Sequence, residues 1–216
     1  MNIISSILEY IFPTKCIGCK NIGDILCEKC LEKIPEPRQP VDNFIHACFS
    51  YKNGTLKHSL WLLKYHGRFP IAKILGKVLY EQNLDILAEK KIFGLSNEVL
   101  VVPIPITKTR KRGRGYNQSA LLAKAFVENS SEKEFIYAGE ILEKIRETIP
   151  QAKLHNRTER LNNLRGAYVL KNGVGVRGKS IVLVDDVSTT GATLKEARRV
   201  LREAGARNVI ALVVAH

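Results

Sequence analysis

The stretch Ile181-Val182-Leu183-Val184-Asp185-Asp186-Val187-Ser188-Thr189-Thr190-Gly191-Ala192-Thr193 decides the fold. Four apolar residues form a buried strand, and two carboxylates emerge at its C-terminal end, where open parallel α/β sheets bind ligands. The small-residue loop that follows opens directly into a helix over 193–204. Its apolar positions 194, 197, 200, 201 and 204 share one face, and Gly205 is a natural stop. Such a loop suits a phosphate: Gly191 permits close backbone approach, hydroxyls donate, and a helix N-terminus offers free N–H groups and a favourable dipole. Carboxylates do not bind phosphate. They accept hydrogen bonds from sugar hydroxyls and suit Mg²⁺, so Asp185 and Asp186 beside this loop imply a ribose 5-phosphate. The plainer alternative is that the two acids end a strand and Thr193 caps a helix.

Working outward, residues 98–104 and 208–214 are further apolar strands, and 55–66, 70–90 and 117–128 are predicted helices. Continuous apolar strands alternating with helices indicate a parallel sheet covered on both faces. The strand ending at Pro103-Ile104-Pro105 leads into a basic loop with five cations in the seven residues 108–114, before a helix that Asn117 or a neighbour caps. A basic run is often only a solvated face. This one leaves the same sheet edge as Asp185 and so borders the same crevice.

Cys16-x-x-Cys19 and Cys27-x-x-Cys30 are two knuckles separated by seven residues. Together they supply the all-thiolate tetrahedral set of a closed, structural zinc site. A pair of disulfides or a redox dithiol are the competing readings. Cys48 stands alone as a small apolar residue. The proline-rich segment 35–40 reads as a linker, dividing the chain into 1–40 (N-terminal helix and four-cysteine finger) and 41–216. Thirty-four Lys and Arg against 21 Asp and Glu give +13, which favours polyanionic partners. The apolar stripe from Ile3 to Phe12 reads as an amphipathic helix. No segment is long enough to span or insert in a membrane, and with no export signal a reducing cytoplasm is expected. There are no internal repeats.

Residues 181–193 resemble the motif by which type I phosphoribosyltransferases bind phosphoribosyl pyrophosphate (PRPP). The resemblance implies that Asp185 and Asp186 take the ribose hydroxyls of Mg²⁺–PRPP, and that Ser188, Thr189, Thr190, Gly191, Ala192 and Thr193 take its 5-phosphate. The loop after Pro103-x-Pro105 is similar to the pyrophosphate loop of amidophosphoribosyltransferase-like members. It implies Lys108, then Arg112 and Arg114, as catalytic contacts, with Lys64 a further candidate. The polar segment 143–166 takes the place of the family's flexible hood. The knuckles, Val102-Pro103-Ile104-Pro105, Arg114-Gly115-Tyr116-Asn117-Gln118, Arg146-x-Thr148-x-x-Gln151 and Glu159-Arg160-x-x-Asn163 complete a pattern that resembles the ComF/GntX family, in particular its ComFC-type competence members. That resemblance implies a cytoplasmic protein of natural transformation, working with other DNA-uptake proteins and with single-stranded DNA. Two functions follow: a PRPP-dependent transferase, or a non-catalytic PRPP-sensing, DNA-binding scaffold. For DNA, the run 108–114 and the face Lys195, Arg198, Arg199 and Arg202 are the candidate surfaces. No aromatic ladder for bases is apparent in the sequence.

Overall fold

The computed structural model describes residues 13–37, 42–89, 98–130, 135–146, 165–171 and 175–216. The expected N-terminal helix, the last residues of the proline linker and positions 147–164 of the hood segment lie outside them. Within the described residues, a parallel sheet runs β1 (Ile45–Phe49), β2 (Val99–Pro103), β3 (Phe135–Tyr137), β6 (Ser180–Val187) and β7 (Asn208–Ala215). Their order across the sheet is β1-β7-β6-β2-β3. β4 (Leu142–Lys144) and β5 (Tyr168–Leu170) form a separate antiparallel pair.

The central strands are apolar on both faces because both are covered. Side chains alternate along a strand, so Val182, Val184 and Leu212 meet one layer and Ile181, Leu183 and Val213 the other. The first layer holds α2 (Gly54–Tyr65), α3 (Pro70–Glu81), α4 (Leu84–Glu89) and α6 (Gln118–Asn129), through residues such as Leu60, Leu75 and Phe126. The second holds α7 (Ala192–Glu203), through Leu194, Ala197 and Leu201, with the β4–β5 pair. α3 and α6 approach closely at Gly76, where a Cβ would stand 2.4 Å from the Ala125 Cβ and 2.9 Å from the Leu122 carbonyl oxygen.

Two elements differ from expectation. The helix predicted over 70–90 breaks after Glu81, because the Asn83 side chain donates to the Leu79 carbonyl at 2.9 Å and competes with the helical backbone. The basic loop is a seven-residue helix, α5 (Lys108–Arg114). Thr107 caps its start by accepting from the Arg110 amide, and Gly115, at φ 84°, ends it in the left-handed conformation. The described ends of the hood segment also carry structure, since Glu143 and Lys144 belong to β4.

The cysteine segment, with its short helix α1 (Glu28–Leu31), does not stand apart from the core. Leu26 and Ile34 are buried with the α2–α3 layer, and the Pro35 carbonyl accepts from the Ser50 amide at 2.7 Å. No described helix is long and apolar enough to cross a membrane.

Candidate functional site

β2 stops pairing with β6 at Pro103↔Val184, so the next two residues of β6 emerge beyond the end of β2. Those residues are Asp185 and Asp186, 9% and 4% exposed. Asp185 Oδ1 accepts from the Ser119 hydroxyl at 2.7 Å and from the Asp186 amide at 2.9 Å. Asp186 Oδ1 accepts from Gln118 Nε2 at 3.2 Å, and its other oxygen is ion-paired with Lys64. Burial, and then the Asp186 charge, push the Asp185 carboxyl up to about 7, against the pull of Ser119 and Lys64. Burial works against the Lys64 charge, but the two aspartates outweigh it and raise its pKa.

The pair lies in a crevice of about 630 Å³ whose walls carry Lys64, Arg110, Arg114 and Lys144 together with Tyr65 and Tyr168. The helical state of α5 sorts its cations by face. Arg110 and Arg114, four residues apart, line the crevice. Lys108 and Arg112, also four apart, do not. Lys108 is 83% exposed at its side chain and pairs with Glu143 at 3.4 Å.

The loop after the acids is divided. Gly191 has φ 71° and forms the N-cap of α7, and Thr190 Oγ1 accepts from the Ala192 amide at 3.4 Å. Thr193 lines the crevice and is hydrogen-bonded to the Tyr168 phenol. Ser188 and Thr189 instead line a second cleft of about 750 Å³ with Tyr51, Lys52, Lys57 and His216. The buried Ser188 hydroxyl has no hydrogen-bond partner among the described residues. Of the six loop residues 188–193, only Thr193 lines the crevice that holds the acidic pair.

The sulfurs of Cys16, Cys19, Cys27 and Cys30 all lie within 4.8 Å of one another, with Cys19 and Cys27 3.7 Å apart. A tetrahedral zinc with Zn–S bonds of about 2.3 Å separates its sulfurs by about 3.8 Å, so the donor set fits that ion. None of the four cysteines is in a disulfide. Burial would raise the Cys16 thiol, but the amides of Cys27, Cys19 and Gly18 outweigh it and hold the pKa at about 6, favouring a thiolate. Gly18 leaves the room this needs, since a Cβ there would meet Cys30 Sγ at 2.7 Å.

Phosphoribosyl transferase domains match residues 95–216, which take in β2 through β7 and the acidic pair. DNA utilization protein YhgH of Escherichia coli strain K12 is 32% identical over 183 residues, 85% of this chain and 74% of that protein. Competence protein ComFC of Streptococcus pneumoniae is 31% identical over 204 residues, 94% of this chain and 81% of its relative. Competence protein F of Haemophilus influenzae is 31% identical over 149 residues, 68% and 61% of the two chains. The chain belongs to the ComF family of phosphoribosyltransferase-domain proteins.

Two parts of this ComF site escape sequence reading. Gln118 and Ser119, in the first turn of α6, orient both aspartates across more than 60 residues of chain, and only two buried polar side chains beside a helix cap hint at it. Glu196 is buried on α7, where it accepts from the Gly166 amide at 2.6 Å and pairs with Arg199 at 2.8 Å, fixing the end of the segment that leads into β5. The basic face of α7 is engaged within the molecule. Lys195 pairs with Asp42 at 2.7 Å, and Arg199 also pairs with Glu203 at 2.6 Å. Arg198 lies 4.3 Å over the Phe44 ring, and Arg202 donates to the Ala206 carbonyl at 3.2 Å.

Proposed function

We propose that this ComF chain is a PRPP-binding phosphoribosyltransferase of the cytoplasm that serves DNA uptake. One observation carries the reading: two buried carboxylates face a crevice walled by four cations, beside a loop that opens into a helix N-terminus. PRPP needs that combination. Its ribose hydroxyls donate to Asp185 and Asp186, and its pyrophosphate takes the cations. Its 5-phosphate takes Thr193 and the amides after Gly191, and Ser188 and Thr189 join them only if the loop turns from the second cleft. The aspartate oxygens also suit a hydrated Mg²⁺, which when bound neutralises pyrophosphate charge. Lys64, paired with Asp186 in the free protein, is then available to the pyrophosphate. As the C1–oxygen bond breaks and an acceptor nucleophile, or water, bonds to C1 in its place, Arg110 and Arg114 stabilise the charge on the departing pyrophosphate. Lys108 and Arg112 join them only if α5 turns about its axis. One structural zinc on Cys16, Cys19, Cys27 and Cys30 organises the N-terminal unit, 1–40, whose described residues share a core with the transferase-like unit, 41–216. The names of the relatives support the link to DNA.

The test is pyrophosphate release from Mg²⁺–PRPP with and without single-stranded DNA. Release that disappears in the Asp185→Asn, Asp186→Asn double variant supports the enzyme. PRPP binding with no release supports the second reading, a PRPP-sensing scaffold for single strands, which the outward placement of Lys108 and Arg112 favours.

A further inference from the structure

A surface helix usually turns its polar side to water. α2 does not. Leu56, Leu60 and Leu63 are buried, while His58, Trp61 and Tyr65 form a stripe on the outer face at i, i+3 and i+7. His66 and Phe69 continue it past the helix end. Trp61 is 48% exposed, Tyr65 63% and Phe69 47%. The rings are in series: His58 to Trp61 at 5.9 Å between centroids, Trp61 to His66 at 4.2 Å and Trp61 to Tyr65 at 6.4 Å. Phe69 is held edge-on against Tyr116 at 5.0 Å, and Tyr116 accepts from the Gly67 amide and donates to the Leu63 carbonyl, which fixes the turn between helices. Solvent-facing rings rimmed by polar groups mark an interaction surface. The linear sequence hides this stripe, because only a helical turn brings 58, 61 and 65 onto one side. The absence of an aromatic ladder expected from the sequence is therefore corrected.

Charge selects the partner. No Asp or Glu occurs from residue 43 to 80, nor from 99 to 127. The same stretches carry Lys57, Lys64, Arg68 and the cations of α5. At one end of the stripe the Arg114 guanidinium lies 5.0 Å from the Tyr65 ring, and both residues also line the crevice. Exposed planar rings interleaved with cations, on segments that carry no acids, match a chain that presents bases and phosphates in alternation. A duplex does not match, because its base faces are already stacked.

We infer that single-stranded DNA lies along this face, with bases stacked on Trp61, Tyr65 and Phe69, phosphates held by Lys57, Arg68 and Arg114, and one end at the mouth of the crevice. This rests on the DNA-handling reading above and gives it a surface. It also places the strand beside the proposed PRPP site, not on the α7 face, where Lys195 and Arg199 are matched by Asp42, Glu196 and Glu203 and Arg198 lies against the Phe44 ring.

Trp61 is the chain's single tryptophan, so its emission reports this face alone. The full chain is titrated with an oligothymidylate of about 20 nucleotides, a length near the upper end of known single-strand site sizes. Saturable quenching of Trp61 is expected, weakening as salt rises. Trp61→Ala lowers affinity about tenfold, from the loss of one stacked base. Trp61→Phe restores most of it, and PRPP affinity by calorimetry is unchanged in both variants. The oligonucleotide annealed to its complement binds more weakly. If the oligonucleotide binds with Trp61 emission unmoved and Trp61→Ala binds as tightly as wild type, the strand lies elsewhere and the inference is overturned. Failure of wild type to bind at low salt overturns it equally. Quenching by the oligonucleotide without any PRPP binding would sink the PRPP reading and leave this one standing.

Discussion

At the floor of the crevice, Asp185 accepts from Ser119 and from the Asp186 amide while burial and the Asp186 charge keep its pKa near 7. Because that value lies above the unfolded 3.8, the native state holds a proton that the unfolded chain has released across this window. Stability from this group therefore grows as pH falls from about 8 toward 4. Asp185→Asn keeps an acceptor at Oδ1 but never ionises. It should stabilise the chain at pH 8 by on the order of 2 kcal/mol, with the advantage vanishing near pH 4. Urea melts across that range check it, and parallel profiles for variant and wild type would dismiss the argument. The same variant should abolish PRPP binding, which in wild type should tighten as pH rises through 7. Asp185 and the cysteines were legible in the sequence because adjacent acids at a strand end, and paired Cys-x-x-Cys turns, are chemically distinctive on their own. Ser119 and Gln118 were not, because their part depends on α6 docking beside β6.

The helix α5 shows what an element adds to a list of residues. Read as a loop, residues 108–114 offered five cations, of which the family resemblance singled out Lys108, Arg112 and Arg114; wound into two turns, they acquire an inside and an outside. Arg110→Ala and Arg114→Ala should each weaken PRPP binding about tenfold, as expected for the loss of a charge-assisted contact of roughly 1.5 kcal/mol. Lys108→Ala and Arg112→Ala should cost less. Calorimetric affinities for the four variants test this, and the reverse ranking would mean that α5 rotates when ligand enters. The central strands β2, β6 and β7 were readable because each is an unbroken apolar run. β1, β3 and the β4–β5 pair were not. They are short and carry half-buried positions at the margins of their sheets, so no clear period marks them. The break between α3 and α4 turns on one Asn83 side chain, which periodicity does not register.

At the scale of the molecule, the cysteine segment and the sheet share one core, so metal and fold should be coupled. About one zinc per chain is expected by metal analysis, and Cys27→Ser should reduce its retention. Hydrogen exchange should then rise over 13–37 and also around Cys48 and Leu56, which belong to the same cluster. Metal-free protein with unchanged exchange there would refute it. The sheet order bears on how such a chain is made. β7 and β6 sit in the middle of the sheet yet are the last of its strands to be synthesised. Ile45 pairs with Ala211, and Val101 with Val182, so β1 waits through most of translation for its neighbour. Pairings so distant in sequence form slowly, and unpaired apolar strands are prone to aggregate. The nascent chain should therefore depend on a holding chaperone until Ser180–Ala215 has cleared the ribosome, and chains stalled before β6 should go to proteases and not to the folded pool.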